Sequence, residues 1–231
     1  MTPESYFNAQ DSQLVADLHR ISQKSPKLVR STVYPAPSDP TVNLRSWKMN
    51  EFKYYDVPSP FPTLARGLFT RELKMEADSD QPRYQIVVRG YDKFFNIGEV
   101  PWTDVRLDFS RVAKKMILTP IPFGRFDCTR QWSSLEAHTG PEYTLSVKSN
   151  GCIIFIAASS PSKLIVTSKH ALGEMDGVLE THSQAGHRWL KIHLASKEKT
   201  EEQLAAVLWE KRWTAVAEVG ACPRGELTVA N

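Results

Sequence analysis

Five short runs of β-branched, aromatic and aliphatic residues, each too short for a helix and bounded by turn residues, constrain this chain most. They are ARGLFT (65–70), RYQIVVRG (83–90), YTLSVK (143–148), GCIIFIAA (151–158) and KLIVTS (163–168). Such runs pair as strands, and separators such as EADSDQP and SSPS favour tight reversals over long crossovers. Antiparallel sheet follows. Two stretches carry helical periodicity instead. In DSQLVADLHRISQ (11–23), Leu14, Val15, Leu18 and Ile21 share a face, with Asp11 or Ser12 as cap. In TEEQLAAVLWEKRW, Thr200 and Gln203 have capping-box spacing, and the run WTAVAEV (213–219) reads as a final strand. Strand runs flanked by helices predict an α+β fold. The stretch from Tyr34 to Pro62, rich in Pro, Ser and Asp, is expected to be extended and irregular, wrapped over a core through Trp47, Phe52, Tyr54 and Tyr55.

Composition excludes several classes. At 231 residues, with 24% charged and 41% hydrophobic residues, the chain suits one ordinary domain or two small ones and excludes collagenous or fully disordered sequence. No stretch approaches the roughly 18 apolar residues of a membrane span, and Met1 to Asn8 is polar where a leader peptide is basic then apolar, so a soluble intracellular chain is expected. Cys128, Cys152 and Cys222 stand in separate contexts without Cys-x-x-Cys, which predicts reduced thiols and no cysteine-bound metal. His170, His182, His187 and His193 have no Cys or carboxylate partners at ligand spacing and read as structural or surface residues. Residues 104–130 hold six basic and three acidic residues, and this block carries the whole net charge of +3. Bulk charge therefore gives no argument for nucleic acid binding.

The chemistry-bearing stretch is LSVKSNGCIIFIAA, where Lys148, Asn150 and Gly151 lie between two apolar strand runs. The plain reading is a hairpin with Asn150-Gly151 as its two-residue turn and Lys148 solvated at a strand end. KSNGCIIFI followed by TSKHALG (167–173), with ARGLFT and RGYDKFFNIGEVPW (89–102) upstream and HSQAGHRWLKIHLASKEKTEEQLAAVLWEKRWTAVAE (182–218) downstream, resembles the fungal tRNA ligases of the bacteriophage-type RNA ligase family. The blocks come in the family's order, over roughly 1–103 and 131–218.

The resemblance implies a partial nucleotidyltransferase fold of the covalent-lysine type, unrelated to ATP-grasp, with antiparallel sheets and flanking helices. It implies an ATP-dependent tRNA ligase of tRNA splicing that joins tRNA exon halves, with ATP and magnesium required and a nuclear or cytoplasmic location. Lys148 would be the nucleophile that captures AMP. A free lysine has a pKa near about 10.4, so burial and neighbouring cations must lower it. By the same resemblance, Arg66 and Lys93 contact the outer phosphates of ATP. Asn150 hydrogen-bonds ribose or phosphate, Gly151 lets the nucleotide approach the backbone, Lys169 neutralises phosphate or touches ribose, and Glu218 binds ribose or orients the lysine. Each also has an ordinary reading as surface charge or turn residue. Phe94 and Phe95 divide between nucleotide contact and core. Magnesium is expected to ride on ATP and water, so that few protein ligands are implied and no metal-ligating residue is singled out.

The sequence departs from the family twice. Residues 104–130 interrupt a segment that the family runs through almost directly, and residues 219–231 diverge where the family continues into a metal-binding glutamate motif and a final lysine motif. Translated intron or a splicing variant accounts for both; a surface loop insertion is the alternative for the first. The expectation is a truncated ligase domain over 1–231, inactive or very slow for want of groups that stabilise charge on the α-phosphate. The competing readings are a non-catalytic RNA-binding fragment and an mRNA guanylyltransferase, the second disfavoured because its motif has Asp at the position of Asn150.

Overall fold

In the computed structural model, the structure describes residues 7–56, 58–73, 82–93, 140–142, 144, 150–220 and 227–229. Two four-stranded antiparallel sheets pack face to face, with one helix outside the first and two outside the second. In chain order these are α1 (Ala9–Lys24), β1 (Val29–Ala36), β2 (Asp39–Met49), a 3-10 turn (Glu51–Tyr55), β3 (Leu68–Leu73), β4 (Arg83–Arg89), β5 (Gly151–Ser160), β6 (Lys163–Ser168), α2 (His182–Ser196), α3 (Glu201–Lys211), β7 (Ala215–Gly220) and β8 (Leu227–Val229). The sheet orders are β1-β2-β3-β4 and β6-β5-β7-β8. The α+β class read from the pattern is the one observed.

Period-2 alternation builds the layers. Along β5, Ile153, Phe155 and Ala157 face the first sheet, while Ile154, Ile156 and Ala158 face the helices. Phe69, Val88, Leu44 and Ala36 from the first sheet complete the inter-sheet core with Phe155, Ile165 and Val216. Outside the first sheet, Val15 and Leu18 of α1 pack on Trp47, Met49, Leu68 and Tyr84, and the Trp47 indole donates to Thr70 Oγ1 at 2.9 Å. Outside the second, Leu190, Ala205 and Leu208 cover Ile154, Ile156 and Val166.

Phe155 locks the sheets together. Its ring occupies the space where a Cβ on Gly67 would stand, 2.2 Å away, and lies 2.7 Å from the Cβ position of Gly90. Gly67 also has φ +90°, which a side chain disfavours, so glycine is required there twice over.

Three expectations need correction. The proline-rich stretch from Tyr34 is not irregular at its start: β1 and β2 form a regular hairpin pairing Val29 with Met49 through Pro35 with Asn43. Proline is tolerated because β1 is an edge strand and the register shifts between Pro35 and Ala36. Of the aromatics expected to cover the core, Trp47 and Tyr54 are buried but Phe52 is 84% exposed. The first helix starts earlier than expected, because Asn8, not Asp11 or Ser12, accepts from the Gln10 and Asp11 amides. The Thr200–Gln203 capping box forms as read, and α2 has its own in Thr181 and Gln184. Of the strand expected at 143–148, only residue 144 is described, and it belongs to no strand; the rest lies outside the described residues.

Candidate functional site

Antiparallel register gathers distant segments at one end of the sandwich. Ile154 pairs with Ser168 on one side and Ala217 on the other, so Asn150 and Gly151 at the start of β5 lie toward Lys169 and His170 after β6 and toward the end of β7. Glu218 pairs with Ile153, on the strand face turned toward the first sheet. The first sheet reaches this end through β2: Ser46 Oγ donates to the His170 carbonyl at 2.9 Å. Past Met49 the chain turns into the 3-10 segment, fixed by the Asn50 side chain accepting from the Phe52 amide. The next side chain after this cap, Glu51, accepts a short hydrogen bond from Lys169 Nζ.

A second crossing ties the two upstream blocks together. The Arg66 amide donates to the Tyr91 carbonyl at 2.8 Å, Gly90 to Gly67 at 2.7 Å and Lys93 to Leu64 at 2.7 Å. The buried Tyr54 hydroxyl donates to the Ala65 carbonyl at 3.3 Å and anchors this crossing to the 3-10 segment. Arg66 and Lys93 thus ride on one strap beside Glu51.

The titrating groups report the local potential. The Glu51 carboxyl is held below its usual range, first by the hydrogen bond from Lys169 and then by the charges of Lys169, Arg66 and His170, against the opposing effect of burial. His170 is pushed down to about 4, mainly by burial and next by the charges of Lys169 and Lys48. Burial raises Tyr54 to about 12, with Glu51 adding to the rise and Arg66 opposing it. The lowered Glu51 carboxyl marks a place where Lys169 and Arg66 favour an anion, whereas the His170 shift comes mainly from burial, with Lys169 and Lys48 adding to it.

Gly151 has a structural reason to be glycine. A Cβ there would stand 2.1 Å from the Val219 carbonyl oxygen across the β5–β7 pairing. The bare backbone expected to admit a nucleotide is therefore already required by the neighbouring strand. Lys148, Phe94, Phe95, residues 104–130, Cys128 and Cys222 lie outside the described residues. The sequence reading passed over Lys48, Glu51 and His170 as site residues: Lys48 and Glu51 belong to no motif and fall in the stretch read as irregular, while His170, inside TSKHALG, was read as structural or surface. It also gave no sign that Cys152 Sγ meets His182 Nε2 at 3.3 Å, or that His187 pairs with Glu201 at 2.7 Å. Among the described residues, no group of three or more His, Cys, Asp or Glu is placed to hold a metal ion, and no helix is long and apolar enough to cross a membrane.

Comparison with known proteins gives this constellation a context. A family model described as RNA ligase matches residues 64–119 and 127–224. The tRNA ligase 1 of Schizosaccharomyces pombe is 38% identical over 205 residues, covering 83% of this chain and 22% of the relative. The tRNA ligase of Candida albicans is 29% identical over 198 residues, covering 79% of this chain and 19% of the relative. The chain spans about a fifth of the length of these curated relatives. Arg66, Lys93, Lys148, Asn150, Gly151, Lys169 and Glu218 all fall inside the matched residues, which make up well over half of the sequence, and on that basis the chain belongs to the RNA ligase family.

Proposed function

We propose that the chain carries the nucleotide-capturing part of an ATP-dependent tRNA ligase domain that joins RNA ends through a lysyl-AMP intermediate on Lys148. The supporting observation is the convergence of Arg66 and Lys169 on the Glu51 carboxylate, at the end of the sandwich where β5 begins with Asn150-Gly151. A polyphosphate seated there would exchange with one carboxylate for the same cations.

In this reading the unprotonated Lys148 amine attacks the α-phosphorus of ATP. The bond from that phosphorus to the oxygen bridging to the β-phosphate breaks, pyrophosphate leaves with the electron pair, and the amine proton passes to solvent. Arg66 and Lys93 hold the departing phosphates, and Lys169 offsets charge near the α-phosphate. Asn150 and Glu218 orient the ribose. The AMP then passes to the 5′-phosphate of one RNA end, and the 3′-hydroxyl of the other displaces it. Magnesium carried on ATP and water would screen the triphosphate. In this reading, residues 104–130 are an insertion and 219–231 a divergent tail, so turnover by this chain is slow or absent.

Incubation with α-labelled ATP and magnesium tests the reading, in this chain and in a chimaera whose residues 1–218 replace the matching segment of the Schizosaccharomyces pombe relative. Label retained on the chimaera and lost in Lys148→Ala is expected. Salt-dependent RNA binding without label would favour the non-catalytic RNA-binding reading, and preferential labelling from GTP would favour a guanylyltransferase.

A further inference from the structure

Among the described residues the exposed large aromatic side chains are Phe7, Phe52, Tyr91 and Trp213. Phe7 is capped by the Arg83 guanidinium 3.9 Å from its ring centroid. Phe52, 84% exposed, sits on the 3-10 segment beside Glu51, and Tyr91, 53% exposed, on the segment that pairs through its backbone with that of Arg66. Scattered exposed apolar residues are ordinary. This pair differs in its placement: Phe52 follows the residue that holds Lys169, and the Tyr91 carbonyl accepts the Arg66 amide.

Both rings are held on fixed backbone. The Asn50 cap accepts from the Phe52 amide at 3.1 Å. Tyr91 lies between Gly90, whose amide donates to Gly67, and Asp92, which bridges Ala65. The Tyr54–Ala65 hydrogen bond ties the two segments to each other. The same segments carry Lys53 next to Phe52 and Lys93 two residues after Tyr91, Arg66 is joined to Tyr91 through the backbone, and Lys169 is bound to Glu51; of the acids there, Asp56 pairs with Lys53 at 2.9 Å and Asp92 with Arg89 at 2.7 Å. Aromatic faces interleaved with cations on an open surface suit a single nucleic acid strand, in which bases stack and phosphates meet the cations.

We propose that Phe52 and Tyr91 form a stacking platform for unpaired bases of the RNA strand presented to the nucleotide site. The proposal rests on the RNA ligase reading and assigns the path of its substrate. The rings take RNA rather than the adenine of ATP because both face solvent on the outer surface, where a strand can run past Arg66.

The test is fluorescence anisotropy with a labelled, 5′-phosphorylated single-stranded RNA dodecamer over a salt series, alongside equilibrium binding of ATP. Phe52→Leu and Tyr91→Leu are each expected to weaken RNA binding by about five- to a hundredfold, as loss of one stacked base does, with the salt dependence unchanged. Arg66→Ala should instead reduce the slope of affinity against salt, because it removes a phosphate contact. ATP affinity should be unchanged in both aromatic variants. Since both rings are exposed, the urea midpoints of these variants should match wild type. Unaltered RNA affinity in both variants overturns the proposal, as does a loss confined to ATP. If wild type binds ATP but no RNA, the proposal falls alone; if it binds neither, the ligase reading falls with it.

Discussion

Replacing Gly151 by alanine separates architecture from nucleotide contact. The new Cβ would meet the Val219 oxygen at 2.1 Å, the Val219 carbonyl carbon at 2.7 Å and the Gly220 Cα at 3.0 Å. An ordinary contact begins near 3.4 Å, so the strands must part by about 1.3 Å at that point. A backbone hydrogen bond stretched that far is lost. The affected pairs are Gly151 with Gly220 and Cys152 with Val219, at the end of the β5–β7 ladder. At about 1 kcal/mol net for each bond, plus residual crowding, the cost is about 1–3 kcal/mol. A domain of this size is stable by roughly 5–15 kcal/mol, so the variant folds but its urea midpoint falls measurably with an unchanged m-value. Hydrogen exchange should quicken at Cys152 and Val219 before the centre of β5. Because Glu218 pairs with Ile153 one step further along, label retention from ATP by the chimaera carrying the same substitution should fall with the stability. A variant with the wild-type midpoint refutes the steric argument. Should that stable variant also fail to retain label, Gly151 serves the nucleotide alone.

Other consequences are equally concrete. Phe155→Ala empties the junction between the sheets, where the ring is fully buried, and should cost about 3–5 kcal/mol by urea unfolding; a loss below about 1 kcal/mol would contradict its locking role. Glu51→Gln removes the anion that Lys169 and Arg66 now share, so tripolyphosphate should bind up to about fivefold more tightly by calorimetry, in line with an exposed ion pair of at most about 1 kcal/mol. Weaker binding would show instead that the carboxylate holds the cations in place. His170 is depressed to about 4 in the folded chain, below its ordinary value of 6.5, so the unfolded state takes up its proton first. Its contribution is fully present above about 6.5 and is lost as pH falls from there toward about 4. His170→Asn should flatten that part of the stability profile, and an unchanged profile would remove His170 from the acid response.

Local pattern was enough for much of the fold. The runs at 83–90, 151–158 and 163–168 became β4, β5 and β6 nearly residue for residue, because alternation and turn chemistry act over a few neighbours. The Thr200–Gln203 box formed for the same reason. The block 65–70 was only half legible: Ala65 bridges Asp92 and Gly67 turns the chain before β3 begins at Leu68.

By itself, then, the sequence determined the strands β4, β5 and β6, where α3 is capped and which family the lysine-bearing blocks resemble, but not the β1–β2 hairpin. Tertiary structure decided the rest. Whether Pro35 breaks a strand depends on that strand lying at a sheet edge. Whether Gly151 is bare for a nucleotide or for Val219 depends on which strand comes to lie beside it. The anion-favouring end of the sandwich exists because Glu51 meets Lys169 across 118 residues of sequence. Electrostatic and steric partners act through space, and only the packing of the two sheets brings them into range.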